Sequence, residues 1–591
     1  MTKRLALAVA IALAAAGSAH AQTVSAPAWV AHSNADAKVL LDAQARFNPE
    51  NATQLGLPGY DDKVTDLKPN ANARQRAALV DAKSKLENML ATEKDADVRQ
   101  DLQIMIKAAA LQIEGIDLND KYLLPYQDIG QLIFNGEFAL LNENIDAKRR
   151  PLAVKRLECY VGKAPGCTPI TQLAEAQTTA RLSDPHLLGP YKGTLDQQFK
   201  NTQRYTQGIR DLFVKYKLDD AEGKAALDAL DTQLKDYDTW VRNTVAPRER
   251  SDFRLPEPLY AYNLKQVGID IPPEELIKQA QLEFVEIRST MQMMAPTVAK
   301  AEGIQATDYR DVLKALKKQQ LGKDDVVPWY HEVIGKIEDI IRREHIVTLP
   351  QREMQMRLAS DAETANVAAP HMDPPPLIDN HGERGTFVLT MGNPTANADS
   401  SNTYDDFTFK AAAWTLTSHE GRPGHELQFS AMVERGVSLA RSIFAFNSVN
   451  VEGWALYSEA EMLPYEPPAG QFITLQLRLM RAARAFLDPM LNLGLISKER
   501  AHDVLRYDVG LSEAMTREEL DRFTFNSPGQ ATAYFYGYMR LQQLRLQAEL
   551  ALGKNFDRQA FNDFVVNQGL LPPDQLAEAV RTQFIPAQQK K

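Results

Sequence analysis

The chain has 591 residues, 24% of them charged, and a formal net charge of −10 at pH 7. This acidic balance argues against nucleic acid as a partner, because the phosphate backbone requires a basic face. The length allows several domains, but the sequence contains no Gly/Ser-rich or Pro-rich linker and no evident repeat. We therefore expect a signal peptide at residues 1–21, then one large body with an N-terminal lobe of about residues 22–250 and a second lobe of about residues 251–591.

The first 21 residues have the pattern of a secretory signal peptide. A basic start and a short apolar run, residues 5–16, precede Ala19-His20-Ala21, which is a small-x-small cleavage site. Cleavage there predicts a periplasmic or secreted protein. The rest of the chain has no apolar run near the ~18 residues that span a bilayer, so no membrane span is expected after cleavage. An uncleaved signal that acts as a membrane anchor is the alternative.

The chain has two cysteines, Cys159 and Cys167, on either side of a turn-rich segment. In an oxidising compartment such a pair is typical of a local disulfide. Metal binding by this pair alone is not expected, because no further cysteine exists and the nearest histidine in sequence, His186, is remote.

Helical patterns dominate the chain. Apolar residues recur at three- and four-residue intervals among charges in the segments 73–112, 195–245, 273–301 and 471–491. Strand-like runs are few. The fold class predicted is therefore mainly α, a large two-lobed helical body with a small β element.

The clearest strand-like run is residues 386–390, Thr-Phe-Val-Leu-Thr, which is bounded by proline- and glycine-containing loops. It precedes His419 in the chain. One hypothesis is an edge strand beside a cleft, against which an extended peptide could pair. The alternative is a small structural hairpin.

Two metal-type ligands, His419 and His425, lie near each other with Glu420 directly after the first. Metallopeptidases usually have two histidines four residues apart on one helical face, with glutamate as general base. Here the spacing is six, which on a regular helix separates the two rings by about 120°. The two glycines and Pro423 between the histidines favour a break in the helix. Such a break could direct both rings toward one ion. Alternatively, His425 caps the next helix and His419 is an ordinary interior histidine.

Two further carboxylates lie downstream in an apolar helical segment, Glu452 and Glu459. They are seven residues apart, or two helical turns, so both can face one side. A buried carboxylate needs a partner. A metal ion would be the partner of Glu452. Glu459 could accept a hydrogen bond from a histidine ligand and so orient it. The alternative is a structural ion pair with Arg441 or another arginine.

Near the C-terminus, tyrosines follow an arginine. Tyr534 and Tyr538 are four residues apart and could share a helix face, and a phenol is a suitable donor to a developing oxyanion. An aromatic stripe is also typical of core packing. Arg522 could bind a substrate carboxylate through its planar fork. It could equally be a structural partner of Glu519, three residues before it.

One ordered set of residues runs through the whole chain. It consists of Pro49, Ala52, Thr53, Leu55, Gly56, Tyr60, Asp61, His419, Glu420, Pro423, Gly424, His425, Leu427, Gln428, Glu452, Gly453, Trp454, Ala455, Leu456, Tyr457, Glu459, Arg481, Arg484, Asp488, Glu519, Arg522, Pro528, Gly529, Gln530, Ala531, Tyr534, Gly537, Leu544 and Arg545. By this set the chain resembles a bacterial family known as domain of unknown function 885, whose members look like helical zinc peptidases.

The resemblance implies one zinc ion held by His419, His425 and Glu452, as in zinc peptidases with a downstream glutamate ligand. It implies Glu420 as the base that takes a proton from the attacking water, with Tyr534 or Tyr538 stabilising the oxyanion. The expected function is an exported zinc-dependent peptidase acting on short peptides or chain ends. The alternative is a noncatalytic relative that binds metal or peptide. An amidase or esterase with the same chemistry is a further possibility.

Three positions depart from the family pattern. Glu426 stands where the family often has a histidine, Phe523 where it has tyrosine, and Asn492 where a histidine follows the Arg/Asp helix. If the family histidine contributes to the site, Asn492 implies altered specificity or weak activity.

Overall fold

The computed structural model describes residues 27–391 and 404–590. The predicted signal peptide lies outside these ranges. Within them, no helix combines the length and the apolar character needed to cross a bilayer.

Helices make up most of the described chain, and they are numbered here in chain order. The first thirteen are α1 (Ala28–Ala45), α2 (Pro49–Leu55), α3 (Ala71–Thr92), α4 (Ala96–Tyr122), α5 (Ile129–Leu141), α6 (Leu152–Tyr160), α7 (Ile170–Arg181), α8 (Lys192–Lys215), α9 (Ala221–Trp240), α10 (Glu257–Val267), α11 (Pro273–Glu302), α12 (Tyr309–Lys317) and α13 (Lys323–Arg343).

The second set follows the first strand. It comprises α14 (Asp361–Asn366), α15 (Ala412–Glu420), α16 (His425–Arg435), α17 (Ser448–Met462), α18 (Pro468–Asn492), α19 (Lys498–Asp503), α20 (Glu513–Asp521), α21 (Ala533–Leu552), α22 (Arg558–Asn567), α23 (Pro573–Ala579) and α24 (Ile585–Gln589). The mainly α prediction is confirmed.

Two of the four predicted helical segments are confirmed nearly end to end, as α11 and α18. The other two are each divided. Segment 73–112 breaks before Asp95, whose side chain accepts hydrogen bonds from the first backbone N–H groups of α4. Segment 195–245 breaks before Asp220, which caps α9 in the same way. These aspartates satisfy N–H groups that have no partner within the helix, so each favours a new helix start inside a continuous apolar pattern.

The described residues form two hydrophobic cores. The smaller core is built mainly from α5 to α9, and the larger one from most of the remaining helices. Helices α1, α3 and α4 precede the smaller core in sequence but pack into the larger one, together with helices that follow residue 250. The two lobes expected at about residues 22–250 and 251–591 stay a prediction.

A three-stranded sheet consists of β1 (Gln355–Leu358), β2 (His371–Asp373) and β3 (Thr386–Leu389). The order is β1-β3-β2, with β1 parallel and β2 antiparallel to β3. The predicted strand at 386–390 is therefore the central strand, and its assignment as an edge strand was wrong. All four residues of β3 are buried, which explains why it is apolar at every position but its first. The edge on the cleft side is β2, whose composition gave little strand signal.

A disulfide joins Cys159 and Cys167, with their Cα atoms 5.2 Å apart. It closes the turn that follows α6, a helix of the smaller core. Gly162, inside this turn, has a φ of +72°, a conformation that favours glycine.

Helices α17 and α21 meet backbone to backbone. A Cβ at Gly453 would lie 2.6 Å from backbone atoms of Gly537, and a Cβ at Gly537 would lie 2.0 Å from the carbonyl oxygen of Val449. Glycine is thus required on both helices. Glu452 directly precedes Gly453, and Tyr534 lies three residues before Gly537, so this close approach brings the two side chains into one region.

Candidate metal centre

The helix break predicted between the two histidines is present. Helix α15 ends at Glu420, and α16 begins at His425. Gly424 permits the tight return, because a Cβ there would lie 1.9 Å from the carbonyl oxygen of His419. Pro423 is tied to α17, since its carbonyl accepts hydrogen bonds from Trp454 Nε1 at 2.9 Å and Ser458 Oγ at 3.2 Å. The break is therefore fixed against the helix that carries the downstream glutamates.

The break brings the two histidines together. Their ring centroids are 4.8 Å apart and the rings are nearly perpendicular, at 82°. Glu452 Oε2 lies 3.5 Å from His419 Nε2 and 3.3 Å from His425 Nε2. The simpler interpretation, in which His425 only caps a helix, does not account for this convergence.

These distances fit a metal site. In a tetrahedral zinc site with bonds of about 2.0–2.2 Å, two ligand atoms lie roughly 3.3–3.6 Å apart. Glu452 Oε2 is buried and makes no hydrogen bond to any residue that the structure describes. A buried carboxylate oxygen without a donor is costly unless a cation accompanies it. The chemistry of the donor set, two imidazoles and one carboxylate, is that of catalytic zinc sites.

The electrostatics of the cluster favour a cation. Burial alone would lower the pKa of His419, but Glu452, Glu459 and Glu420 raise it to about 9. Burial would raise the pKa of Glu452, but the two histidines hold it well below its usual range. Three carboxylates thus surround the two rings.

Glu459 lies behind His419, on the side away from Glu452. Its Oε1 is 2.7 Å from His419 Nδ1, and both side chains are buried. An Nδ1–H donated to a carboxylate fixes the ring and directs Nε2 toward the cluster. Glu459 also pairs with Arg481 at 3.4 Å, whereas Arg441, the partner considered from sequence, pairs with Asp101 on α4. The ion pair and the histidine contact coexist at Glu459.

Glu420 is at the edge of the cluster. Its Oε1 is 3.9 Å from His419 Nε2, and it offers an oxygen within 4.8 Å of a ring nitrogen of each histidine. Glu452 is closer to both rings, so it is the better third ligand. Glu420 lines the adjoining cavity and is available to a reacting molecule.

Tyr534 reaches the site from α21. Its ring stacks over His419 at 6.1 Å between centroids, and its hydroxyl oxygen accepts a hydrogen bond of 2.8 Å from Arg522. Burial raises the pKa of Tyr534, so the phenol keeps its proton. Because the oxygen accepts from Arg522, the O–H remains able to donate toward the cavity that Tyr534 lines.

Arg522 holds Tyr534 in position. Its Nε donates to Gln530 Oε1 at 3.0 Å, and its Nη1 lies 3.6 Å from Glu519. Glu519 is itself held by Arg484 through two hydrogen bonds of 2.6 Å. The guanidinium thus already contacts three protein groups. Arg522 does line the cavity, but its contacts are those of a residue that orients Tyr534 and Gln530 rather than a free carboxylate clamp.

Tyr538 lies one turn beyond Tyr534 and is not brought to the centre. The guanidinium of Arg478 sits 5.0 Å from its ring centroid. Of the two candidate tyrosines, only Tyr534 is among the described residues that line the cavity.

The cluster lies beside a cavity of about 790 Å³. Glu420, His425, Glu452, Arg522 and Tyr534 all line it. Strand β2 contributes His371 and Met372 to the same wall. The small β element therefore does lie beside the cleft, as predicted, although through a different strand.

The three departures from the family pattern lie in structural networks. Glu426 is fully buried and accepts a hydrogen bond of 2.6 Å from Arg422 Nε. Asn492 donates to the carbonyl oxygens of Asp488 and Phe523, at 3.0 and 2.9 Å. None of the three lines the described cavity wall. The expectation that Asn492 weakens the site is not supported by its position.

Two residues that line the cavity, Phe429 and His371, were not predicted from the sequence. Phe429 lies four residues after His425 on α16, so helical spacing could have found it on the same face. His371 could not have been found, because only the pairing of β2 with β3 carries it to the cleft.

Fold and site together define a mainly helical protein in which two histidines and a glutamate converge beside a cavity. The bacterial family of proteins of unknown function DUF885 matches residues 49–580, and the chain belongs to this family. The family assignment made from sequence is thereby confirmed.

Two solved structures share the fold. One is a candidate lipoprotein from Colwellia psychrerythraea, with 20% identity and a TM-score of 0.76, covering 95% of this chain and 99% of its own. The other is a candidate lipoprotein of unknown function from Shewanella oneidensis, with 18% identity and a TM-score of 0.69, covering 92% and 99%. No curated protein matches the sequence.

Proposed function

We propose that the protein is an exported zinc-dependent hydrolase, a peptidase that acts on short peptides or chain ends. The single observation that carries the proposal is the convergence of His419, His425 and Glu452 on the cavity, with Glu420 beside them. Export is supported by the sequence of residues 1–21 and by the description of the two structural relatives as candidate lipoproteins.

His419, His425 and Glu452 would hold the ion. When bound, zinc polarises a carbonyl and makes water a better nucleophile near neutral pH. Glu420 would accept a proton from the attacking water and deliver it to the leaving nitrogen. This role is supported by its position beside the histidines and in the cavity wall. Tyr534 donates its O–H to the oxygen that gains charge, and Arg522 keeps that hydroxyl oriented.

A peptide substrate is supported by the shape and the wall of the cavity. A volume of about 790 Å³ suits a short segment rather than a folded protein. The β2 wall offers an extended backbone beside the cluster, to which a peptide backbone could align.

The test is Glu420→Gln, which removes the base and leaves the three ligands in place. We expect zinc content to be unchanged and peptide hydrolysis to fall by about 10²- to 10⁴-fold. A matched control is Glu353→Gln, whose side chain is 93% exposed and is not part of the cavity wall described above. It should leave both readouts unchanged. The proposal is contradicted if the purified protein contains no zinc and Glu420→Gln does not change turnover. If the protein contains zinc but hydrolyses no peptide, amide or ester, it is a noncatalytic relative.

A further inference from the structure

The cavity beside the metal cluster has walls of opposite character. Next to the ligands it is apolar. Phe429 follows His425 by one helical turn, and Val451 directly precedes Glu452. Ile443 and Phe446 complete this patch from the segment between α16 and α17. The patch is therefore built from the two helices that carry His425 and Glu452 and from the segment that connects them.

Other residues of the wall are polar. Glu518, Asn526 and Ser527 line both the cavity of the metal cluster and a second cavity of about 510 Å³. That second cavity is lined by many charged and amide side chains from α8 and α20. A molecule bound in the cavity of the cluster thus meets both apolar and polar groups.

Phe446 is the most exposed member of the apolar patch, with 56% of its surface accessible. It follows a π-helical turn, Ala440–Phe444, and its neighbours are held firmly. Ala445 is buried, and Asn447 donates hydrogen bonds to the carbonyl oxygens of Ala445 and Leu570, at 2.9 and 3.0 Å. A rigid backbone therefore presents a large apolar ring at the cavity. Covering such a ring with another apolar group is favourable, because both surfaces leave water.

We propose that this patch, formed by Phe429, Ile443, Phe446 and Val451, is the subsite for a large apolar side chain of the substrate, next to the bond that is cleaved. The proposal rests on the proposed function, and it names the substrate class as peptides with an aromatic or large aliphatic residue at that position. The occupant is a substrate side chain because the patch is continuous with the metal cluster in one cavity.

Binding and turnover are measured separately. Glu420→Gln protein is titrated with hexapeptides in which a single Phe replaces Ser at each position in turn, and binding is followed by fluorescence anisotropy. We expect one position at which Phe binds at least about tenfold more tightly than Ser. Adding Phe446→Ser in the same background should remove most of that preference. Phe446 is exposed, so its replacement does not threaten folding.

The matched control is Leu550→Ser, at a residue on α21 that is 77% exposed and outside the cavity wall described. It should keep the full preference for Phe. Equal affinity for Phe and Ser at every position, or no peptide binding at all, would overturn the subsite. A preference that survives Phe446→Ser would also overturn it. If the preference is found but wild-type protein cleaves none of these peptides, the subsite stands and the peptidase proposal fails.

Discussion

Two buried glutamates, each on a helix of a different hydrophobic core, have opposite environments. Glu137 on α5 is fully buried, and neither of its oxygens has a hydrogen-bond donor among the described residues. Burial raises its pKa to about 8, so it keeps its proton at neutral pH. Glu452 on α17 also has a buried oxygen without a donor, but two imidazole nitrogens lie 3.3 and 3.5 Å from it on a cavity wall. Burial without a hydrogen-bond donor neutralises a carboxylate, whereas neighbouring ring nitrogens place Glu452 in a set of groups whose chemistry suits a cation.

The same substitution at the two positions should therefore give different results, and Glu452→Gln should give the larger one. Loss of the carboxylate removes one of three ligands, so we expect zinc affinity to fall by more than about 100-fold and hydrolysis to be lost. Competition with a chromogenic chelator measures the affinity. Zinc binding at wild-type strength in Glu452→Gln would mean that Glu452 is not a ligand.

A smaller effect is expected at Glu459, which contacts His419 but not the cavity. Replacing it with Gln weakens the interaction that orients the His419 ring, and zinc affinity should fall by about 10- to 100-fold. The same competition assay applies. A loss as large as that of Glu452→Gln would instead indicate direct ligation by Glu459.

The smallest effect is expected from Glu137→Gln, and it concerns stability rather than zinc. The folded pKa of Glu137, about 8, lies above the ordinary value of 4.5. Between these two pH values the folded state binds more protons than the unfolded state. The free energy of unfolding therefore falls as pH rises from about 4.5 to about 8. The contribution of this group is at most about 1.4 kcal/mol per pH unit. Gln cannot titrate and should remove this contribution.

Urea unfolding at pH 5 and pH 7.5 measures the difference between wild type and Glu137→Gln. The variant should gain roughly 1 to 3 kcal/mol relative to wild type between these two pH values, with zinc affinity unchanged. A difference that does not vary with pH would mean that Glu137 is ionised in the folded protein.

Local pattern predicted much of the fold. Helices α11 and α18 follow directly from apolar periodicity, and the break between α15 and α16 follows from two glycines and Pro423. The divisions before Asp95 and Asp220 were missed because an N-cap inside a continuous apolar pattern resembles any other polar position. The place of β3 in the middle of its sheet depends on pairing with strands that are distant in sequence, which no local pattern encodes.

The candidate site was predicted as a set, but spacing could not decide its details. Tyr534 and Tyr538 are the same residue type on the same helix, so sequence does not distinguish them. In the folded protein Tyr534 stacks beside His419, whereas Tyr538 contacts Arg478. Asn492 drew attention as a departure from the family, yet its contacts are with Asp488 and Phe523, in a structural network. Sequence identifies which residues are unusual, whereas three-dimensional packing determines which of them face the cavity.

The central claim is that His419, His425 and Glu452 bind one zinc ion. Crystals grown with zinc and measured on both sides of the zinc absorption edge test it most directly. The account predicts one strong anomalous peak about 2.0–2.2 Å from Nε2 of each histidine and from a carboxylate oxygen of Glu452. A peak bound elsewhere, or no peak at these three residues with zinc in excess, would contradict it.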